Sequence, residues 1–385
     1  MSDSRLMLRR IVARTVMVPM KLPLHTASGA VEQAALVLVD LETTAGFIGR
    51  AYLLAYSRAN LAPIVALLEA MGEMLAGDLV APFDIEKKLR ARYALLGVHN
   101  IVLFAMSGID MAAWDALGQS MDRPLTALLG GTPRAVRAYN SKGLGIQPIP
   151  KLVKQARALL DEGFDALKLR LGRSDARDDL AALRAVKKAT GDEVTLMVDF
   201  NQGLTVAEAI RRGHQIDAEG GVLWIEEPVR ADDFAGCAKV AREIRTPIQI
   251  GENFMGSEQM VQALVAGACD YVMPDLQRIG GVTGWLRAAA LAQGSGIEMS
   301  SHLFAEVSAQ LFPVTPTAHW LEYADWWNLI LAEPLRVACE QSKDPTVFVK
   351  VAEGVVYDRV IEALDVAREA GAGRIGLVDE TTPSR

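Results

Sequence analysis

What most constrains this chain is a repeating beat in its second half. From about residue 138 onward, a short apolar run ends in a polar residue and a helical stretch follows. The runs are AYNS, ending at Ser141; LKLR, at Arg170; LMVD, at Asp199; LWIE, at Glu226; IQIGE, at Glu252; YVMPD, at Asp275; IEMSSH, at His302; and HWLE, at Glu322. Between Asp199 and His302 the steps are 27, 26, 23 and 27 residues. A strand, a turn and a helix need about that length, so each step reads as one βα unit. Eight runs predict an α/β protein with a TIM-type (β/α)7β barrel. The stretches 153–164 and 178–190 carry apolar residues at helical spacing, as the connecting helices should.

Residues 1–137 read differently. IVARTVMVPM and ALVLVDLETTAGFIGRAYLLAY have the character of β-structure, with turn signals from Thr43 to Gly46, and helical stretches follow. This predicts an α+β domain over 1–137, a barrel over 138–335 and a separate tail over 336–385.

In a barrel, the residue closing each strand sits at the C-terminal mouth, where barrel enzymes place their chemistry. One acid there could be a helix N-cap and nothing more. Five acids, a Lys, an Arg and a His at or beside the ends of successive runs read as a site. Asp199, Glu226 and Glu252 close three consecutive runs, and three carboxylates crowded together repel unless a cation lies among them. Hard oxygen donors with no His or Cys beside them favour Mg²⁺ over zinc. Glu227, next along the WIEEP run, should face the other side of its strand. Asp275 and His302 close the next two units. A carboxylate bonded to one ring nitrogen fixes the imidazole tautomer and makes the other nitrogen a credible general base. Lys168 and Arg170 share a strand face and are expected to project toward the metal. Glu322, amid so much negative charge, is expected to have a raised pKa and to donate a proton.

Composition sets the remaining expectations. The formal net charge is −7, which gives no general attraction to nucleic acid or anionic membranes. No apolar run of the length a membrane span needs is expected, nor a signal-peptide pattern. Cys237, Cys269 and Cys339 are widely spaced and suggest no disulfide framework. A reduced, cytoplasmic protein is expected.

Taken together, these residues resemble the enolase superfamily, within it the mandelate racemase/muconate lactonizing enzyme family, and most closely its mandelate racemase branch. The stretches that carry the resemblance include HTASG (25–29), GIDMAAWDALG (108–118), VDFNQ (198–202), WIEEP (224–228), MPD (273–275), IGGVTGW (279–285), MSSHLFAE (299–306) and TPTAHWLE (315–322). They extend over roughly residues 8–335. The resemblance implies a Mg²⁺-dependent enzyme in which a Lys or His base removes the proton beside a carboxylate to give an enediolate. Asp199, Glu226 and Glu252 match the metal ligands; Asp275 and His302 the base dyad; Glu322 the acid; Ser141 and Asn201 the substrate contacts; and Lys168 the first lysine of a Lys-x-Lys pair. The N-terminal domain matches a capping domain whose loop through Leu24, Ser28 and Val31, with Tyr56, closes over substrate. His25 lies in that loop. Relatives assemble as homo-oligomers.

Two departures stand out. Arg170 replaces the second lysine, the base for the opposite enantiomer, and neutral arginine is scarce at pH 7. Residues 344–380 resemble the strand–helix–strand end of an ExbD/TolR-type protein, with the helix at 356–370. Three readings follow: a 2-hydroxy-acid racemase or epimerase first, an acid-sugar dehydratase with His302 as its only base second, and a non-catalytic metal-binding relative third.

Overall fold

A computed structural model describes residues 6–324 and two further strands, 346–351 and 374–379. The chain opens with an antiparallel sheet of three strands, β1 (Leu8–Thr26), β2 (Gly29–Thr43) and β3 (Ile48–Leu54), in the order β1-β2-β3. Helices α1 (Leu61–Leu75), α2 (Pro82–Arg92), α3 (Asn100–Ser120) and α4 (Leu125–Leu128) follow. By length and composition, α3 could cross a membrane, which departs from the sequence reading; most of it is buried inside this structure. It lies tight against β3. A β-carbon on Gly49 would sit 1.9 Å from the Ala112 carbonyl oxygen, so only glycine permits that approach.

The eight runs form eight parallel strands: β4 (Ala138–Asn140), β5 (Ala166–Arg170), β6 (Thr195–Asp199), β7 (Ile225–Glu226), β8 (Ile248–Ile250), β9 (Tyr271–Val272), β10 (Glu298–Met299) and β11 (Leu321–Tyr323). They pair in sequence order from β4 to β10, and β11 returns beside β4. Backbone bonds complete the circle. The Met299 N–H donates to Thr317 O, and the Ser301 N–H to Trp320 O, at 2.8 and 3.0 Å. The expected TIM-type barrel behind an N-terminal cap is therefore what forms. Connecting helices α5 (Ile149–Leu160) through α9, with α6 at Ala176–Thr190, α7 at Val206–Glu219, α8 at Phe234–Glu243 and α9 at Ser257–Ala266, cover the outside. The short α10 (Leu276–Ile279), then α11 (Gly281–Ser295) and α12 (Ala305–Leu311), complete it.

Strand β5 shows how sequence aims the site. Both faces of a barrel strand are buried, so all five residues of ALKLR are inaccessible. Leu167 and Leu169 join the large core cluster, whereas the alternating Lys168 and Arg170 make their polar contacts within the barrel. A separate cluster of Tyr139, Ala166, Met197, Trp224 and Trp320 packs behind the charged layer.

Two buried polar contacts dock cap to barrel. The Gln277 amide bonds both backbone groups of Leu54, at 2.7 and 3.1 Å. Asp110, on α3, accepts from the Thr283 N–H at 3.0 Å and from the Thr283 hydroxyl, in the first turn of α11. Burial pushes the Asp110 carboxyl up to about 7, although the Thr283 bonds pull the other way.

Strands β12 (Thr346–Val351) and β13 (Arg374–Asp379) pair in parallel. The helix expected at 356–370, Cys339 and the start of the tail lie outside the described residues. Cys237 and Cys269 are buried free thiols.

Asp110 yields a prediction whose sign is fixed. Its folded pKa lies above the ordinary carboxylate value, so between the two the folded state holds the proton and the unfolded state does not; stability falls as pH rises. Denaturant titrations from pH 4 to 7 should show native protein losing stability relative to Asp110→Asn as pH increases.

Candidate active site

The strand ends bring the predicted residues together. One oxygen from each of Asp199, Glu226 and Glu252 lies within 4.8 Å of the others. Asp199 and Glu226 are fully buried. Asn201 turns back on Asp199, its backbone and side-chain N–H groups donating at 2.7 and 2.9 Å. The Trp224 indole N–H donates to Glu226 at 3.2 Å. Glu227 stays outside this group and accepts from the Asn253 amide at 2.6 Å.

Lys168 Nζ sits among the acids, 2.6 Å from Glu226, 2.8 Å from Glu322 and 3.4 Å from Asp199. Arg170, on the same strand face, acts on Asp199 through its charge rather than by contact. Its guanidinium donates to the Ser141 and Gly143 carbonyls at 3.0 and 2.6 Å and to the Ser141 hydroxyl at 3.0 Å. The fork is committed to the loop after β4.

His302 faces the acids from β10. Its Nδ1 lies 2.8 Å from Asp275, and its Nε2 is 3.4 Å from Glu252 and 3.8 Å from Glu322. Asp275 divides its oxygens between that ring and the Arg278 N–H, which it caps at 2.9 Å. Beyond His302 the chain turns through Leu303 and Phe304, both at φ +47°. Such a pair of non-glycine residues is strained and persists only when its surroundings hold it. Here the Leu303 N–H donates to Glu322 at 3.0 Å, and Phe304 stacks on Tyr52 of β3 with centroids 4.9 Å apart.

The electrostatics follow from that crowding. Burial raises the Asp199 and Glu226 pKa values despite Lys168 beside them. For Lys168, burial works against the charge, but Glu226, Glu322 and Asp199 outweigh it and hold the ammonium protonated. Glu322 overturns its sequence expectation. Burial does push it upward, yet Lys168 and His302 outweigh burial and hold it below the usual carboxylate range. For His302, burial favours the neutral ring, but Glu252, Glu322 and Asp275 push its pKa up to about 9.

The cap closes the mouth through the β1–β2 tip. Leu24 is buried and pairs with Val31. The Ser28 hydroxyl donates to the Asn201 carbonyl. Ala27 enters a notch formed by two glycines: a β-carbon on Gly172 or Gly203 would lie 2.6 Å from its methyl. His25 contributes its backbone, accepting from the Ile146 N–H at 2.7 Å, while its side chain is exposed. Tyr56 stands at the rim with φ +59°.

Sequence reasoning missed Arg278, whose guanidinium lies 4.6 Å over the Tyr56 ring. The signal was present: it follows Asp275 by three residues, one helical turn, on the helix that Asp275 caps.

The donor set fits Mg²⁺. Three carboxylates supply hard oxygens at one point and leave coordination positions for water and ligand. Of the three, Glu252 also pushes the His302 pKa upward, a push that a divalent ion would oppose.

Comparison with known proteins agrees. Residues 9–130 match the family profile "Mandelate racemase / muconate lactonizing enzyme, N-terminal domain", and residues 151–354 match "Enolase C-terminal domain-like". The L-talarate/galactarate dehydratase of Salmonella typhimurium is 32% identical, over 79% of this chain and 77% of that protein. The L-Ala-D/L-Glu epimerase of Bacillus subtilis is 27% identical, over 75% and 78%. An enolase from alpha proteobacterium bal199, with bound Mg, is 46% identical, with a TM-score of 0.81 over 83% of this chain and 89% of that one. A Bradyrhizobium enolase in complex with magnesium and mandelic acid is 42% identical, with a TM-score of 0.81 over 85% and 90%. The family is matched as expected, but these curated relatives are a dehydratase and an epimerase rather than mandelate racemase itself.

Mg²⁺ should stabilise the fold by about 2.7 kcal/mol at a hundredfold excess over Kd. A thermal shift should register this for native protein and lose it in Glu226→Gln and Asp199→Asn.

Proposed function

Because the chain belongs to the mandelate racemase/muconate lactonizing enzyme family of the enolase superfamily, we propose that it removes the α-proton of a 2-hydroxy carboxylate with His302 as its single base. The observation that carries this reading is Arg170, whose terminal nitrogens donate to Ser141 and Gly143, and arginine is poorly suited to act as a base. Among the charged groups of the mouth, that leaves the imidazole as the group suited to exchanging a proton.

Asp199, Glu226 and Glu252 would hold the Mg²⁺, which when bound stabilises negative charge on the substrate carboxylate. Lys168 supports the same charge from the opposite side. Asp275 holds the Nδ1 proton, so that the free Nε2 faces the substrate. Glu322, ionised and fixed by Lys168 and Leu303, positions the ligand by accepting a hydrogen bond. Ser141 and Asn201 border the pocket, and Leu24, Ser28, Val31 and Tyr56 exclude water from above.

One base suits dehydration. The α-C–H bond breaks, its proton passes to His302 Nε2 and the electron pair enters an enediolate. The β-C–O bond then breaks, and the hydroxyl leaves as water with the proton returned by the same imidazole. The enol product tautomerises to a 2-keto acid. This reverses the order of the sequence readings and places an acid-sugar dehydratase ahead of a racemase. Racemisation or epimerisation keeps two supports, the 27% identical L-Ala-D/L-Glu epimerase and the 42% identical enolase in complex with mandelic acid, a ligand with no β-hydroxyl to expel.

Incubation with Mg²⁺ in D₂O across sugar acids and mandelate separates them. Dehydration gives a 2-keto product and α-exchange on one configuration. Exchange of both enantiomers without loss of water would reject the single-base reading. His302→Asn should lower the rate by about 10²–10⁴-fold.

A further inference from the structure

Arg278 is a cation in the wall of the mouth that no carboxylate neutralises by contact. Other buried or half-buried arginines of the barrel have acceptors in contact with their terminal nitrogens: Arg212 pairs with Asp179 and Glu208, Arg173 with Asp179, and Arg170, whose Nε is also unpartnered, donates to Ser141 and Gly143. Arg287 pairs with Glu86 on the cap. Arg278 forms no ion pair with any described residue. Asp275, Glu252 and Glu227 act on it only through space, and its Nε is shielded from solvent without a hydrogen-bond partner. A shielded donor left unpaired costs free energy and calls for an explanation.

Its placement supplies one. The helix cap by Asp275 fixes its backbone, and the Tyr56 ring fixes the plane of its guanidinium. It therefore links Asp275 of the His302 dyad to Tyr56 of the cap, after a strand, β9, that lies four places round the barrel from the strand of Lys168 and Arg170. A planar guanidinium in that setting is suited to a carboxylate, which it can bind through two parallel hydrogen bonds. The substrate's reacting carboxylate belongs with the metal ligands and Lys168. A carboxylate at Arg278 is then a second one, at the far end of the same molecule.

We propose that Arg278, braced by Tyr56, is a specificity-determining residue that binds the distal carboxylate of a diacid, so that the site selects 2-hydroxy diacids over matching monoacids. This rests on the α-proton chemistry proposed above and names the substrate class for it. A structural tether that only steadies Tyr56 is the competing role, and it would not distinguish the two ligands.

Galactarate and galactonate differ only in whether the far carbon is a carboxylate or an alcohol. Calorimetric titration of each into Mg²⁺-loaded protein should show native protein favouring galactarate. In Arg278→Met the galactarate-to-galactonate affinity ratio should fall on the order of ten- to a hundredfold. Arg278→Lys, which keeps the charge and guards against a folding defect, should hold an intermediate ratio. An unchanged ratio in Arg278→Met, with both affinities weakened alike, overturns the proposal and leaves the tether. Equal binding of both acids by native protein overturns it as well. If native protein exchanges the α-proton of either acid in D₂O, the single-base reading survives that failure; if it exchanges neither and binds neither, both fall together.

Discussion

The ammonium of Lys168 holds the mouth of this barrel together. It touches three carboxylates from three other strands, all of them out of water. Burying such charges is expensive, and only close opposite charges and complete hydrogen bonding offset it. One cation cannot balance Asp199, Glu226, Glu252 and Glu322 together, so the layer is built with excess negative charge. That excess is what makes it a receptor for a divalent ion. Burial, with the neighbouring acids adding to it, raises the Asp199 and Glu226 pKa values, while Glu322, bonded to Lys168 and facing His302, is pulled down.

A second constraint binds the mouth to the cap. His302 precedes a turn with two left-handed, non-glycine residues, and that turn is held from both sides. Glu322 accepts from Leu303 beneath it, and Tyr52 of the cap sheet stacks on Phe304 above it. Gln277 and Asp110 dock the same cap onto α10 and α11. The cap therefore does more than cover the pocket. It braces the segment that carries the base, so cap packing and base geometry are mechanically linked.

How much of this was legible in the sequence varied with the kind of interaction. The barrel was, because parallel strands buried on both faces read as apolar runs and their polar terminators fall at one rim. The metal triad and the Asp275–His302 dyad were legible for the same reason. The charge state of Glu322 was not: spacing predicts crowding by acids, but not a Lys168 nitrogen 2.8 Å away. Arg170 shared a strand face with Lys168, yet its acceptors lie on a loop 27 and 29 residues earlier. The notch for Ala27 needs glycines from two separate loops, and no local pattern joins them. Arg278 had a local signal, its one-turn spacing from Asp275, but its significance depends on Tyr56, which arrives from the cap.

The exchange of lysine for arginine at the end of β5 shows how one side chain can redirect a shared site. A lysine there is a compact, mobile ammonium that can shed a proton when buried. A guanidinium instead needs several acceptors in one plane. Arg170 finds them in the Ser141 and Gly143 carbonyls and the Ser141 hydroxyl, and so fixes the loop after β4. On the proposed reading, a position that a proton carrier could fill becomes scaffold. On that reading, proton traffic then runs through His302 alone, and a reaction that returns the same proton to a departing hydroxyl needs nothing more. Selectivity passes to the rim, where Arg278 and Tyr56 meet whatever the far end of the substrate presents.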